Sequence, residues 1–398
     1  MSLNETPAAN RVHIGFFGAR NAGKSSLANA VTGQSMSVVS EVKGTTTDAV
    51  HKTMEILPIG PVVIIDTPGF DDDGTLGTLR VERTRQALAK TDIAILTVDA
   101  ATGITDTDRE LIKLFGDTPY IIAYNKSDLI GGDKAETENS IFVSAKTGEN
   151  IYRLKEKIAK LGADREEKTA VADILTGGDT VILVIPIDES APKGRIILPQ
   201  QLILRELLDR GCRALCCQPR ELSGTLENLK NPPKLVITDS QVFGAVSETV
   251  PESVMLTSFS ILLARYKGVL PELIKGAARL KTLKSGDTVL ISEGCTHHRQ
   301  CNDIGTVKLP GWIEKYSGAA PRFEFTSGGE FPEDLKKYDL ILHCGGCMLN
   351  EKEMQSRIKR ADNSGVPVVN YGIAIAAMHG ILPRALSPFP DLRKIISI

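Results

Sequence analysis

The sequence predicts an α/β protein in three units: a P-loop domain followed by two smaller alternating α/β domains with mainly parallel sheets. Three observations predict it. A strand, a glycine-rich loop and a helical stretch open the chain. Short apolar runs rich in β-branched residues then alternate with stretches of helical spacing as far as the carboxyl terminus. A charged stretch, Asp164-Arg165-Glu166-Glu167-Lys168, breaks that rhythm where a linker would lie. The boundaries expected from these shifts are 1–166, 172–268 and 269–398. With 398 residues, 42% of them hydrophobic, the chain has enough apolar surface for several cores.

Val12-His13-Ile14-Gly15-Phe16-Phe17 reads as a buried strand. The loop Gly18-Ala19-Arg20-Asn21-Ala22-Gly23-Lys24-Ser25 follows, and a helix carries on through Ser26 to Val31. That is a P-loop in its required setting. Its glycines allow a tight turn whose amides ring phosphates, Lys24 neutralises the β and γ oxygens, and the Ser25 hydroxyl ligates magnesium. Val62-Val63-Ile64-Ile65 is a second strand, running into Asp66-Thr67-Pro68-Gly69. There Asp66 is expected to hold magnesium through water and the Gly69 amide to sense the γ-phosphate. Asn125-Lys126-Ser127-Asp128 follows a strand at 120–124, and Ser144-Ala145-Lys146 follows one at 141–143.

These four motifs, in this order, resemble the small GTPases. The resemblance implies that Asp128 accepts two hydrogen bonds from guanine and that the Ala145 amide donates to its O6, so the nucleotide is GTP or GDP and not ATP. It places Gly18, Asn21, Ala22, Gly23, Lys24, Ser25, Ser26, Asn125, Lys126, Asp128, Ser144, Ala145 and Lys146 around that nucleotide. Gly44-Thr45-Thr46-Thr47-Asp48, ahead of a strand at 49–57, is similar to the first switch of bacterial tRNA-modification GTPases. By that match Thr46 joins Ser25 on magnesium, with Thr45 and Thr47 as close competitors, and Lys24, Thr46, Asp66 and Gly69 form the catalytic set. Phe70 stands where Ras-like GTPases carry a water-orienting glutamine, and a phenyl ring cannot position water. In related GTPases lacking that glutamine, a P-loop asparagine helps to bind potassium, and Asn21 matches it. Slow hydrolysis stimulated by K+ is therefore expected, with Asp71, Asp72, Asp73 or Glu82 as water-positioning groups.

In the middle segment strands are expected at 180–186, 213–217, 235–238 and 254–257, with helices at 198–208, opened by Pro199, and at 258–266. It carries no nucleotide fingerprint and no metal-ligand run. Cys212, Cys216 and Cys217 flank or occupy an apolar strand and are expected to be buried structural thiols. So short a unit leaves strand edges and apolar helix faces uncovered, and self-association into a homodimer would bury them.

The third segment opens with a basic amphipathic helix at 273–283, expected as a solvated face. A strand at 286–292 ends just before Cys295-Thr296-His297, and one at 338–342 ends before His343-Cys344-Gly345-Gly346-Cys347. A strand-like stretch at 322–325 lies between them, a helix follows at 350–361, and a strand and helix at 366–370 and 372–378 close the chain. Two thiols separated by two residues suit zinc and iron–sulfur clusters alike. If the two strands are parallel neighbours, both loops share one carboxyl end, where α/β sheets place ligands. A helix amino terminus there would favour thiolate, and Gly345 and Gly346 let the backbone approach closely. On chemistry alone, a zinc site of Cys295, His297, Cys344 and Cys347 competes with a cluster. His298, Cys301 and His379 match no trusted spacing.

A GTPase-like domain, a middle α/β segment, and CxH followed at long separation by HCxxC together resemble the FeFe-hydrogenase maturation GTPases. The likeness covers the whole organisation of the chain. It implies that Cys295, Cys344 and Cys347 bind a 4Fe-4S cluster with one labile iron site, that His297 and His343 lie near it or exchange on it, and that the middle segment dimerises. It further implies a scaffold that accepts a transient diiron subcluster precursor from radical-SAM hydrogenase maturases and delivers it to apo FeFe-hydrogenase. The chain has no CxxxCxxC motif with which to build that unit itself.

Two rivals belong to other classes: an RNA-modification or ribosome-assembly GTPase with a structural zinc module, and an interaction dimer with a vestigial switch. Against the first, 47 basic and 49 acidic side chains leave a formal charge of −2, and no basic run interleaved with aromatics invites nucleic acid. The amino-terminal stretch lacks a signal-peptide layout and no apolar run approaches a membrane span, so the expected location is the cytoplasm, off the membrane. Seven cysteines there suit reduced thiols and metal ligation better than a disulfide framework.

Overall fold

The computed structural model describes residues 8–33, 50–67, 75–131, 135–163, 168–187, 196–294 and 303–397, and the chain divides into two compact units, 1–166 and 167–398. The first unit is built on six strands: β1 Val12–Phe17, β2 Val50–Ile56, β3 Gly60–Asp66, β4 Ile93–Asp99, β5 Tyr120–Asn125 and β6 Ser140–Phe142. Their order is β2-β3-β1-β4-β5-β6, and only β2 runs antiparallel to its neighbour. Both faces of this sheet are buried, which is why its strands read as unbroken apolar runs. Ile14, Phe16, Ile64 and Ile95 pack with the helices Lys24–Thr32 and Ile151–Ala163. Phe17, Val63, Ile65 and Leu96 pack with Leu111 and Phe115 of helix Asp106–Phe115. The strand order reverses direction at β1, so the loop after it emerges at a switch point, where open α/β sheets bind ligands.

The second unit holds two four-stranded sheets with every pairing parallel. The first contains β7 Thr180–Val184, β8 Arg213–Cys217, β9 Leu235–Thr238 and β10 Met255–Ser258, in the order β10-β9-β7-β8. The second contains β11 Thr288–Ser292, β12 Arg322–Thr326, β13 Leu340–His343 and β14 Val368–Asn370, in the order β12-β11-β13-β14. One apolar core runs through both sheets. Helix Leu270–Thr282 turns Leu273, Ile274, Ala277 and Leu280 into it, so only its other face is the solvated basic surface expected. Gly276 is required there, since a Cβ would stand 1.9 Å from the Val368 carbonyl oxygen. Leu309-Pro310-Gly311-Trp312 starts a helix, Leu309–Ser317, with proline in its first turn.

The middle cysteines need a correction. Cys212 is buried, but Cys217 is half-buried and Cys216 is exposed, because β8 is an edge strand whose residues are largely uncovered. Among the described residues no helix is long and apolar enough to cross a membrane.

Candidate functional site

At the carboxyl end of β1 the P-loop is shaped by backbone that few side chains tolerate. Gly18 has φ +139°, and a Cβ on it would lie 2.2 Å from the Thr97 carbonyl oxygen of β4. Gly23 has φ +88°, and its Cβ would meet the Asn125 amide at 2.4 Å. Asn21 adopts the left-handed region, which asparagine reaches more readily than most residues. Lys24 donates to the carbonyls of Gly18 and Ala19 at 3.0 and 2.9 Å, so its ammonium is held over the loop where phosphate oxygens would replace them.

The base end is tied to the same loop. Asn125 Nδ2 donates to the Ala22 carbonyl at 3.0 Å, while its Oδ1 accepts from the Ala145 amide at 3.0 Å. One buried side chain thus bridges two predicted motifs. Lys126 donates to the Asn21 carbonyl at 2.8 Å and pairs with Asp99 at 2.6 Å. Ser144 donates to Asp128 Oδ1 at 2.6 Å, orienting the carboxylate expected to read guanine.

Asp66, at the end of β3, is 1% exposed, and its Oδ1 has no hydrogen-bond partner. Burial raises its pKa, while a hydrogen bond from Ser25 and the charge of Lys24 pull it down. A buried carboxylate oxygen lacking a donor, beside a hydroxyl, is a donor set that fits Mg2+. Thr46, Gly69, Phe70, Asp71, Asp72 and Asp73 lie outside the described residues. Glu82, on helix Thr75–Leu88, accepts from Gln86 Nε2 at 3.2 Å.

The thiol loop sits where β11 and β13 end. The two strands are parallel neighbours, with Ser292 opposite His343, and the Cys344 amide donates to the Ser292 carbonyl at 2.9 Å. Two backbone amides point at one sulfur: Gly294 N–H at 3.0 Å and Gly346 N–H at 3.3 Å from Cys344 Sγ. Gly294 immediately precedes Cys295, so the chain reaches hydrogen-bond distance of Cys344 one residue before that position. Cys295, His297, His298 and Cys301 themselves lie outside the described residues. Among those described, no three metal-ligating side chains converge.

Helix Glu351–Asn363 begins after Cys347 and is capped by Asn350, whose side chain accepts from Glu353 N–H. The amides that reach sulfur come from the loops instead. Burial pushes both thiols up, against the pull of those amides on Cys344 and of the Lys267 charge on Cys347. Such thiols stay protonated until a metal displaces the proton. Half-buried sulfur facing amide donors fits a thiolate-bound metal or cluster, with Cys344 and Cys347 as ligands.

His343 is fully buried and has both ring nitrogens engaged. Nδ1 lies 2.8 Å from the Cys344 carbonyl, which can only accept, so this nitrogen carries the proton. Nε2 therefore accepts from Arg357 at 3.2 Å. Burial first, then the Arg357 charge, lowers the His343 pKa to about 3. Arg357 also pairs with Glu353 at 2.9 Å, donates to the Gly328 carbonyl at 3.0 Å and lies over the Phe331 ring. In this arrangement the ring braces the loop and has no lone pair left for a metal.

Lys267, Arg357, Glu353 and Asp99 are absent from the motif reading. The i,i+4 spacing of Glu353 and Arg357 was a signal for a helix pair. Lys267 left none, since it follows an apolar helix far from the cysteines in sequence.

Residues 170–268 match the hydrogen maturase F dimerization domain, and residues 271–388 match the hydrogen maturase F tetramerization domain. Residues 13–126 match a 50S ribosome-binding GTPase model. Curated relatives include the tRNA modification GTPase MnmE of Dechloromonas aromatica, 33% identical over 156 residues, which are 38% of this chain and 35% of that protein. MnmE of a Neisseria meningitidis strain is 35% identical over 155 residues, 37% and 34% of the two chains. The chain thus spans about a third of the length of these relatives. Among solved structures, Era of Aquifex aeolicus aligns with a TM-score of 0.35 at 21% identity, over 52% of this chain and 92% of that one.

Proposed function

The chain belongs to the hydrogen maturase F family, and from that premise we propose a GTP-hydrolysing 4Fe-4S scaffold that carries a diiron precursor to apo FeFe-hydrogenase. The observation that carries the cluster reading is the Cys344 sulfur, half-buried at the shared end of β11 and β13 with two backbone amides aimed at it. When bound, the cluster supplies an iron with a replaceable coordination position. The chain supplies Cys344 and Cys347 from one loop and Cys295 from the other, with His343 as a brace. The precursor is cargo, received from radical-SAM maturases and passed on in a homodimeric carrier.

In the first unit, Lys24, Ser25 and Asp66 would hold GTP and Mg2+, Asn125, Asp128 and Ala145 would select guanine, and Thr46 and Gly69 would sense the γ-phosphate. Asn21 would help to hold K+, whose charge would act where an arginine finger otherwise does. Hydrolysis is then slow and faster in K+ than in Na+, and equal rates in the two salts would remove the potassium role. Nucleotide state would change affinity for partners and leave the cluster chemistry itself alone.

An RNA-modification GTPase with a zinc module finds its support in the MnmE likeness, which reaches little more than a third of the chain. Metal analysis separates the two. After anaerobic reconstitution, iron and acid-labile sulfide near four of each per chain, lost in Cys344→Ala, are expected of the scaffold. Tightly bound zinc with no iron would favour the RNA factor.

A further inference from the structure

Lys267 places an ammonium inside the protein, and among the described residues no carboxylate forms an ion pair with it. The residue is 2% exposed and caps helix Phe259–Tyr266, at the end of the middle segment. Its side chain leaves that segment for the cysteine loop, where Nζ donates to the Gly346 carbonyl and, at 2.8 Å, to the Leu349 carbonyl. Its own carbonyl accepts from Gln355 Nε2 at 3.1 Å, on the helix that follows the loop. Two carbonyl dipoles solvate a buried ammonium without neutralising it, and an unpaired buried charge is costly. Burial lowers its pKa to about 8, against the pull of negative charge at Cys347, Cys344, Glu353 and Glu351. As neutral thiols these sulfurs carry no charge, and as metal-bound thiolates they do.

We propose that Lys267 is a positioning residue and counter-charge for the Cys344–Cys347 metal centre, fixing the loop through two carbonyls and easing electron uptake by the bound group. The inference rests on the iron–sulfur reading above and adds to it a residue from outside the metal-binding segment. A cation close to a cluster stabilises the reduced form, which carries one more negative charge, so removing it makes reduction harder.

Two substitutions divide geometry from charge. Lys267→Gln keeps an N–H donor for the carbonyls and removes the charge, whereas Lys267→Arg keeps the charge. Wild type and both variants are reconstituted with iron and sulfide, checked for folding by circular dichroism, and titrated electrochemically with the reduced signal read by electron paramagnetic resonance. Wild type and Lys267→Arg are expected to agree. In Lys267→Gln the reduced-to-oxidised ratio at fixed potential is expected to fall about tenfold, or about 59 mV for a one-electron couple. Equal potentials in wild type and Lys267→Gln would overturn the role of Lys267 and leave the scaffold reading standing. No iron in the wild type would overturn the scaffold reading itself. Should Lys267→Gln fail to fold, Lys267→Arg decides: cluster uptake at the wild-type potential supports the counter-charge, and lost uptake or a comparable shift overturns it.

Discussion

At the scale of single residues, the side chains that matter are those whose polar atoms have one possible use. Asp128 is held by Ser144, and the two charge-assisted hydrogen bonds to guanine proposed for it would each be worth about 1.5–3 kcal/mol. Asp128→Ala is therefore expected to weaken GTP binding at least about 100-fold in a fluorescent-nucleotide titration, with ATP binding unchanged. Gly18→Ala should be as damaging through sterics alone, because its Cβ has only the Thr97 carbonyl to move into. His343 tests the difference between brace and ligand. His343→Ala leaves Arg357 with an unmet buried donor and should cost about 2–4 kcal/mol in denaturant unfolding of the metal-free chain. Iron bound per folded chain should nevertheless hold, and a proportional loss of iron would make the ring a ligand. The motif glycines, Lys24, Asp66 and the thiols were legible because each answers to a fixed spacing. The Arg357 contact to His343 was not, since it depends on how a helix face lands against a strand end.

At the scale of elements, alternation predicted parallel pairing, and the neighbouring β11 and β13 show why that matters: their register sets Ser292 opposite His343, so the chain leaves both strands at one end of the sheet. What periodicity could not show is which strands lie at an edge. The apolar run of β8 reads like a central strand, yet the strand is an edge that leaves Cys216 exposed and Leu215 36% exposed. If this edge contributes to self-association, Leu215→Lys should shift light-scattering mass toward monomer at micromolar concentration, and an unchanged mass would clear the edge of that role. The start of the second unit is pinned by ions. Glu206 accepts from the amides of Ala170, Val171 and Ala172 at 2.7–3.0 Å, and Arg265 grips Asp173. The Arg265 hydrogen bond holds the Asp173 carboxyl below its ordinary value. The unfolded chain thus binds the proton first as pH falls, so the contribution is present above the unfolded pKa and is lost as pH drops through the lower folded one. Water screens this half-exposed pair, so Asp173→Asn should cost about 0.5–1 kcal/mol at neutral pH. That difference should vanish in strong acid and shrink in high salt.

At the scale of the molecule, the two units were legible to different depths. Four nucleotide motifs and the surrounding apolar runs specified five strands of the first unit and the helix after the P-loop, whereas β4, which walls the P-loop through Thr97, and the helices Thr75–Leu88, Asp106–Phe115 and Ile151–Ala163 belong to no motif. In the second unit the strand positions were legible, but the single core joining its two sheets was not, because it is made by helix faces that carry no chemistry of their own. That shared core is what lets Lys267, from the end of the middle segment, reach the thiol loop. The central claim is that three thiolates hold an iron cluster that keeps one replaceable position. Its most direct test is the electron paramagnetic resonance spectrum of the reduced, reconstituted chain before and after addition of cyanide. A changed signal at constant iron content is the predicted result, and a spectrum indifferent to the added ligand would contradict the claim.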